Sequence, residues 1–248
     1  MNEQKFTGKA DNYDKYRPSY PDSLLEWLYN NTCALNVADI GAGTGKFTAC
    51  LTKKPWNITA VEPNSDMLEK LRHNLPGITV VQASAENTGL AAASFGLITV
   101  AQAFHWFDKE RFRTECRRLL KKDGKLAIIW NERSKTGMSA ERDAVCMKYC
   151  GAFHSGHVFT GDSRFDGDGD SFLRNEFFTE LEYFSEMYHV PMTKEAFIGD
   201  ILSRSYALSE SDECFNNFMA ELEAVFEKYQ KGGLVTAEYK TTCYLGSI

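Results

Sequence analysis

The 248-residue chain predicts an α/β fold: a doubly wound, mostly parallel sheet with helices on both faces and a helical lid inserted late in the sequence. Three observations carry this. Short apolar runs alternate with amphipathic stretches from residue 35 to residue 130, the pattern of right-handed βαβ units. A glycine turn, Gly41-Ala42-Gly43-Thr44-Gly45, separates the first run from the helix after it. Beyond about residue 135 the alternation breaks and helical patterns take over.

Residues 1–20 are a polar, aromatic-rich arm. Tyr20-Pro21-Asp22 opens a helix through Leu24, Leu25, Trp27 and Leu28 that stops at Asn30-Asn31. Segment 1–31 is expected to lie over the ligand edge of a domain formed by residues 32–248. Strands are predicted at Leu35–Ile40, Ile58–Val61, Ile78–Val81, Phe95–Ala101 and Lys125–Trp130, the last after a Lys-Asp-Gly turn. Helices are predicted at Lys46–Lys53, Asp66–Asn74 and Lys109–Leu120. Residues 138–152 read as helix, 154–172 as a Gly, Asp and Ser-rich loop, and Leu181–Val190 as a strand. Helices over 193–206 and 212–230 precede a last strand, Ala237–Leu245. The insertion at about 192–232 would form the lid.

Composition narrows the function classes. A net charge of −6 argues against broad electrostatic binding to nucleic acid. No run of about 18 apolar residues marks a membrane span. The polar N-terminus lacks the apolar core of a signal peptide. Seven scattered cysteines, an odd count, suit free thiols in a reducing cytoplasm.

Two familiar ligand classes fit the glycine turn poorly. A P-loop needs a hydroxyl after Gly45-Lys46, and Phe47 stands there, while Ile40 occupies the place of its first glycine. A dinucleotide fingerprint needs G-x-G-x-x-G, but glycines 41, 43 and 45 give G-x-G-x-G.

Asp39-Ile40-Gly41-Ala42-Gly43-Thr44-Gly45 resembles the first motif of class I S-adenosylmethionine-dependent methyltransferases. Later segments extend the resemblance in order. Glu62 closes the second strand, 21 positions after Gly41, followed by Pro63, Asn64 and Met67. Gln82-Ala83-Ser84-Ala85-Glu86 resembles the adenine-binding stretch, with Ser84 where an aspartate is common. Gln102-Ala103-Phe104-His105-Trp106-Phe107, and the arm Tyr13-Asp14-Lys15-Tyr16-Arg17-Pro18-Ser19-Tyr20-Pro21, resemble a small-molecule subgroup that includes trans-aconitate and ubiquinone-type enzymes. The matches span roughly residues 10–135.

The resemblance implies a Rossmann-like sheet of seven strands with the last antiparallel. It implies S-adenosylmethionine as cofactor, S-adenosylhomocysteine as product and a small molecule as methyl acceptor. Glycines 41, 43 and 45, with Ala42 and Thr44, would place the cofactor, and Asp39 would order the turn. Glu62 would hold both ribose hydroxyls, since one carboxylate can accept from a vicinal diol. Pro63, Met67, Ser84, Ala85 and Gln102 complete the expected cofactor set. Arg17 is a candidate for the methionine carboxylate by a forked contact.

Tyr13, Tyr16, Trp106 and Trp130 are candidate pocket walls, where ring faces favour a sulfonium. Asn131 and Arg133 are candidate acceptor contacts; Arg133 pointing inward would favour an anionic acceptor. Ser205 and Tyr206 are further candidates in the lid. His105 is a candidate general base. The alternative is a packing role, because a sulfonium is already a good leaving group and alignment can carry much of the rate.

No metal is expected. Cys146, Cys150, His154 and His157 lack a trusted zinc spacing. In Asp166-Gly-Asp168-Gly-Asp170 the calcium-loop glycine is Ser171 and the twelfth position is Phe177. Three rival functions are a methyltransferase acting on RNA or protein, a non-catalytic cofactor-binding module, and a dehydrogenase.

Overall fold

The computed structural model describes residues 14–135, 137–150, 169–204 and 206–248. Tyr13, His154, His157, Asp166, Asp168 and Ser205 lie outside the described residues.

The strands are β1 (Asn36–Ile40), β2 (Asn57–Val61), β3 (Thr79–Val81), β4 (Phe95–Ala101), β5 (Leu120–Arg133), β6 (Glu180–Met192) and β7 (Val235–Ser247). They form one sheet in the order β3-β2-β1-β4-β5-β7-β6. β7 runs antiparallel to both neighbours, and the other pairs are parallel. This is the predicted doubly wound sheet with its last strand reversed. Strand order turns between β1 and β4, so their carboxyl ends open the crevice where such sheets bind ligands.

Helices α1 (Asp22–Asn30), α2 (Lys46–Leu51), α3 (Ser65–Asn74) and α4 (Lys109–Leu119) belong to this sheet, and their starts are set by local chemistry. The Asn64 side chain caps α3 by accepting from the Met67 amide at 3.0 Å. Asp108 does the same for α4 at Arg111, at 3.1 Å. α1 buries Leu24, Leu25 and Leu28. The central strands are apolar on both faces because both are covered. Val37, Ala127 and Ile129 pack with α1 and α2, while Ala38, Ile40, Ile128 and Trp130 pack on the opposite side with Phe104, Phe112 and Phe177.

A third core lies beyond the sheet edge. It joins α5 (Gly137–Tyr149), α7 (Lys194–Leu202) and α8 (Phe215–Tyr229) to the outer ends of β6 and β7, through Cys146, Met192, Phe197, Phe218, Phe226 and Tyr239. The helix after β5 therefore shares a core with the two helices inserted between β6 and β7.

Two readings are corrected. β5 begins at Leu120 rather than Lys125: Phe95 pairs with Leu120 and Leu97 with Lys125, so Lys121–Gly124 bulge out within the strand. Gly124 permits this, since a Cβ there would stand 3.0 Å from both Leu120 Cδ2 and the Phe95 carbonyl. The end of the expected loop is also helical, as α6 (Gly169–Phe172) and a π turn over Leu173–Phe177. Burial of Phe172, Leu173 and Phe177 outweighs the local polar composition.

No helix among the described residues is long and apolar enough to cross a membrane. All seven cysteines are free thiols. Among the described residues no three metal-ligating side chains converge. Cys146 and Cys150 share the lid core, and burial pushes the Cys146 thiol up to about 12.

Candidate functional site

The turn after β1 is built from backbone conformations that favour glycine: φ is +71° at Gly41, +59° at Gly43 and +86° at Gly45. The Gly41 and Ala42 amides donate to the Val61 carbonyl at 2.9 and 3.0 Å, which ties the turn to the end of β2. A Cβ on Gly41 would lie 2.6 Å from Ala103 Cβ, so the turns after β1 and β4 press together there. At Gly43 the same test meets nothing within 4 Å among the described residues. One side of the turn is close-packed and the other is open to a ligand.

Glu62 is aimed at that open side. Its Oε2 accepts from the Gly43 amide and its Oε1 from the Asn64 amide, both at 2.9 Å. Two backbone donors fix a carboxylate that is 8% exposed. Such an acceptor pair beside an open glycine turn suits a vicinal diol.

Asp39 lies behind the turn. At 1% exposure, it accepts from Thr48 Oγ1 at 2.6 Å and Thr99 Oγ1 at 2.8 Å, joining β1 to α2 and β4. Burial pushes its carboxyl up to about 6, against those two hydrogen bonds. The Thr44 side chain is buried, and the Met67 side chain is buried under α3. Pro63 offers its carbonyl to Gln82 Nε2 at 3.2 Å. Ser84 is half-buried and forms a bridge with Asn87, while the Ala85 side chain enters the core.

The end of β4 is strained. Gln102 has φ +60°, a region non-glycine residues seldom occupy. Its amide donates to the Ile129 carbonyl at 2.9 Å, and its Nε2 to the Asn131 carbonyl at 2.9 Å. A 3₁₀ turn, Phe104–Trp106, follows and leaves His105 and Trp106 half-buried, their rings 4.7 Å apart.

The arm and lid meet beside these strand ends. Lys46 Nζ, at the start of α2, donates to the Arg17 carbonyl at 2.8 Å. Arg17 Nε donates to Ser203 Oγ at 2.9 Å, so this guanidinium engages the lid. Tyr16 donates to Glu195 at 2.7 Å, and its ring lies on Gly199, where a Cβ would come within 2.2 Å. Asn131 Nδ2 donates to the Ser19 carbonyl at 3.1 Å and its Oδ1 accepts from Thr241 at 2.6 Å.

Two predicted pocket residues are engaged within the protein. Trp130 is 2% exposed and packs edge-on against Phe104 and Tyr244, in the core beneath the site. Arg133 points inward, but toward Asp143 at 3.5 Å and Asp200 at 3.8 Å. It belongs to a buried cluster that sequence reading missed. Arg142 meets Asp200 at 3.2 Å, and Arg204 meets both Asp200 oxygens at 3.1 Å. Burial alone would push Asp200 up; Arg204, Arg142 and Arg17 hold it below its ordinary value. Asp143 is pushed up by burial despite Arg142 and Arg204. The overlooked signal is on α5, where Arg142 sits four residues from both Met138 and Cys146, on the buried stripe.

The sheet order and glycine–carboxylate edge define a Rossmann-like methyltransferase. A methyltransferase-domain family model matches residues 38–128. An uncharacterized methyltransferase of Mycobacterium tuberculosis is 32% identical over 200 residues, covering 79% of this chain and 75% of that protein. Another from Schizosaccharomyces pombe is 32% identical over 186 residues, covering 72% and 74%. The solved structure of a putative type II methyltransferase from Anaeromyxobacter dehalogenans matches with a TM-score of 0.67 and 25% identity, over 94% of this chain and 98% of that one. The chain belongs to the class I S-adenosylmethionine-dependent methyltransferases.

Proposed function

We propose that this methyltransferase acts on a small molecule, using the crevice at the carboxyl ends of β1, β2 and β4. The observation that carries the cofactor half is Glu62, held by the Gly43 and Asn64 amides beside the open face of Gly43. S-adenosylmethionine supplies, when bound, an electrophilic methyl group on a sulfonium. Glu62 would hold the ribose hydroxyls. Gly41–Gly45 would let the ligand approach the backbone, with Asp39 fixing the turn from behind. Pro63, Ser84 and Gln102 would form the rest of the cofactor wall.

A small acceptor is supported by the lid. α5, α7 and α8 form one packed body at the sheet edge, and the arm is tied to it through Arg17–Ser203 and Tyr16–Glu195. A crevice bordered by the arm and the lid suits a small molecule. The net charge of −6 gives a nucleic acid no general attraction. His105 and Trp106 would line the acceptor side beyond Gln102, and alignment with exclusion of water would supply most of the acceleration.

Calorimetric titration with S-adenosylmethionine, S-adenosylhomocysteine and NADH tests the cofactor half. The two sulfur ligands should bind, and Glu62→Ala should weaken both by more than about tenfold, or 1.4 kcal/mol. Unchanged affinity in the variant would remove Glu62 from the site. Turnover to S-adenosylhomocysteine with small-molecule fractions, but not with RNA or protein, tests the acceptor half.

A further inference from the structure

Glycine is the poorest helix former after proline, yet Gly199 stands inside α7 and is buried there. Its backbone lies outside the left-handed region, so conformation does not demand a glycine. The reason lies across the contact. A Cβ on Gly199 would stand 2.2 Å from Tyr16 Cδ2 and 2.5 Å from both its Cε2 and Cγ. Cγ is on the axis about which the ring flips, so a flip cannot clear the clash. The Tyr16 ring of the arm is seated in a gap that only glycine leaves.

Polar contacts hold the seat on either side. Glu195, four residues before Gly199, accepts from the Tyr16 hydroxyl and from Lys15 Nζ, both at 2.7 Å. Ser203, four residues after it, accepts from Arg17 Nε at 2.9 Å. Three consecutive arm residues therefore grip about two turns of one lid helix.

The same arm is fastened to the methyl-transfer domain. Lys46, the residue after Gly45, donates from Nζ to the Arg17 carbonyl at 2.8 Å. Asn131 and Tyr188 both donate to the Ser19 carbonyl, at 3.1 and 2.9 Å. The Tyr20 ring packs edge-on against Phe47 of α2, with centroids 4.8 Å apart. Ser19 and Tyr20 are thus held by the sheet and α2, Lys15 and Tyr16 by the lid, and Arg17 by both. A pocket of about 470 Å³ borders the seat, lined by Tyr16, Lys194, Glu195, Ile198, Gly199 and Leu202. The ring therefore has room to leave without α7 unfolding.

We infer that Tyr16 is a positioning residue for methyl transfer: seated on Gly199, it holds the arm between the glycine turn and the lid and sets how fast the methyl donor enters and its product leaves. This rests on the cofactor reading above. The named contacts between Lys15–Arg17 and α7 with its cap Ser203 are side-chain contacts, which release and reform without disturbing any strand. Closure of this kind excludes water from the crevice and makes ligand exchange wait on opening.

Surface plasmon resonance of the full chain with S-adenosylhomocysteine tests this. Gly199→Ala drives the ring from its seat and Tyr16→Ala removes it, and each should speed dissociation by about fivefold or more. Tyr16→Phe keeps the ring without the hydroxyl, and should restore most of the slow dissociation that Tyr16→Ala loses. The double variant should dissociate as Tyr16→Ala alone does, because alanine at 199 then has nothing to displace. In that background Gly199→Ala should also raise the denaturant midpoint, since alanine favours helix more than glycine. Dissociation unchanged by Gly199→Ala, full additivity of the two substitutions, no rescue by phenylalanine, or a lower midpoint in the double variant would each overturn the assignment. Failure of S-adenosylhomocysteine to bind the native chain would overturn the cofactor reading and this one with it, whereas binding with kinetics indifferent to the variants would overturn this one alone.

Discussion

The two halves of the crevice are built in opposite ways. On the cofactor side, backbone makes the site: three glycines at positive φ, a carboxylate pinned by two amides, and strand-end turns pressed together at Gly41 and Ala103. On the lid side, side chains from remote parts of the chain meet instead, with Arg17, Arg133, Arg142, Asp200 and Tyr239 converging in one buried cluster. A backbone-built site demands given residue types at given spacing, whereas a side-chain-built site can be assembled from many positions.

Asp200→Ala should have the largest effect. It would leave Arg142, Arg204 and Arg133 buried without their shared partner, a loss of about 3–5 kcal/mol. Hydrogen exchange should then rise in α5, α7 and α8 while the ends of β1 and β4 stay protected. Equal loss in both regions would break the division.

Gly41→Ala should strike the other half. A left-handed backbone and a 2.6 Å approach to Ala103 together cost about 2–4 kcal/mol, measured by denaturant unfolding, with loss of cofactor affinity.

Asp39 sharpens the contrast through pH. Its folded carboxyl titrates at about 6 against an ordinary value of 3.8, so the folded state holds the extra proton between them. Its contribution to stability is present below about 4 and is lost as pH rises through about 6. Asp39→Asn should abolish that portion of the pH dependence, whatever it does to absolute stability.

His105→Gln should have the smallest effect, lowering turnover by less than about tenfold with an unchanged pH profile, because alignment carries the rate. A loss of about 10²-fold or more, with disappearance of the limb near neutral pH, would instead make His105 the base.

The fold around the glycine turn was largely legible because its rules are local. Alternation placed β1 to β4, the glycine turn placed the crevice, and Asn64 placed the start of α3. Trp130 was misjudged as a pocket wall from its aromaticity. The two-residue period was the better guide, since Trp130 follows Ile128 onto the face packed on Phe104 while Asn131 and Arg133 alternate with it along the strand, in phase with Ile129. Arg142 escaped because a charge on a buried helix stripe has meaning only once its partners, 58 residues away at Asp200, are brought to it. The π turn at Leu173–Phe177 escaped because its neighbours are polar and its burial is tertiary.

The β6–β7 ribbon has a consequence for how such enzymes diversify. Thirteen register pairs run from Glu180–Ser247 to Met192–Val235, and α7 and α8 hang from the last of them. The segment they form therefore starts and ends at neighbouring points, so exchanging it for one of another length adds little closure entropy. The sheet and its glycine turn need not change when it does. Inheritance can keep one methyl donor fixed while the tip of this ribbon explores new acceptors.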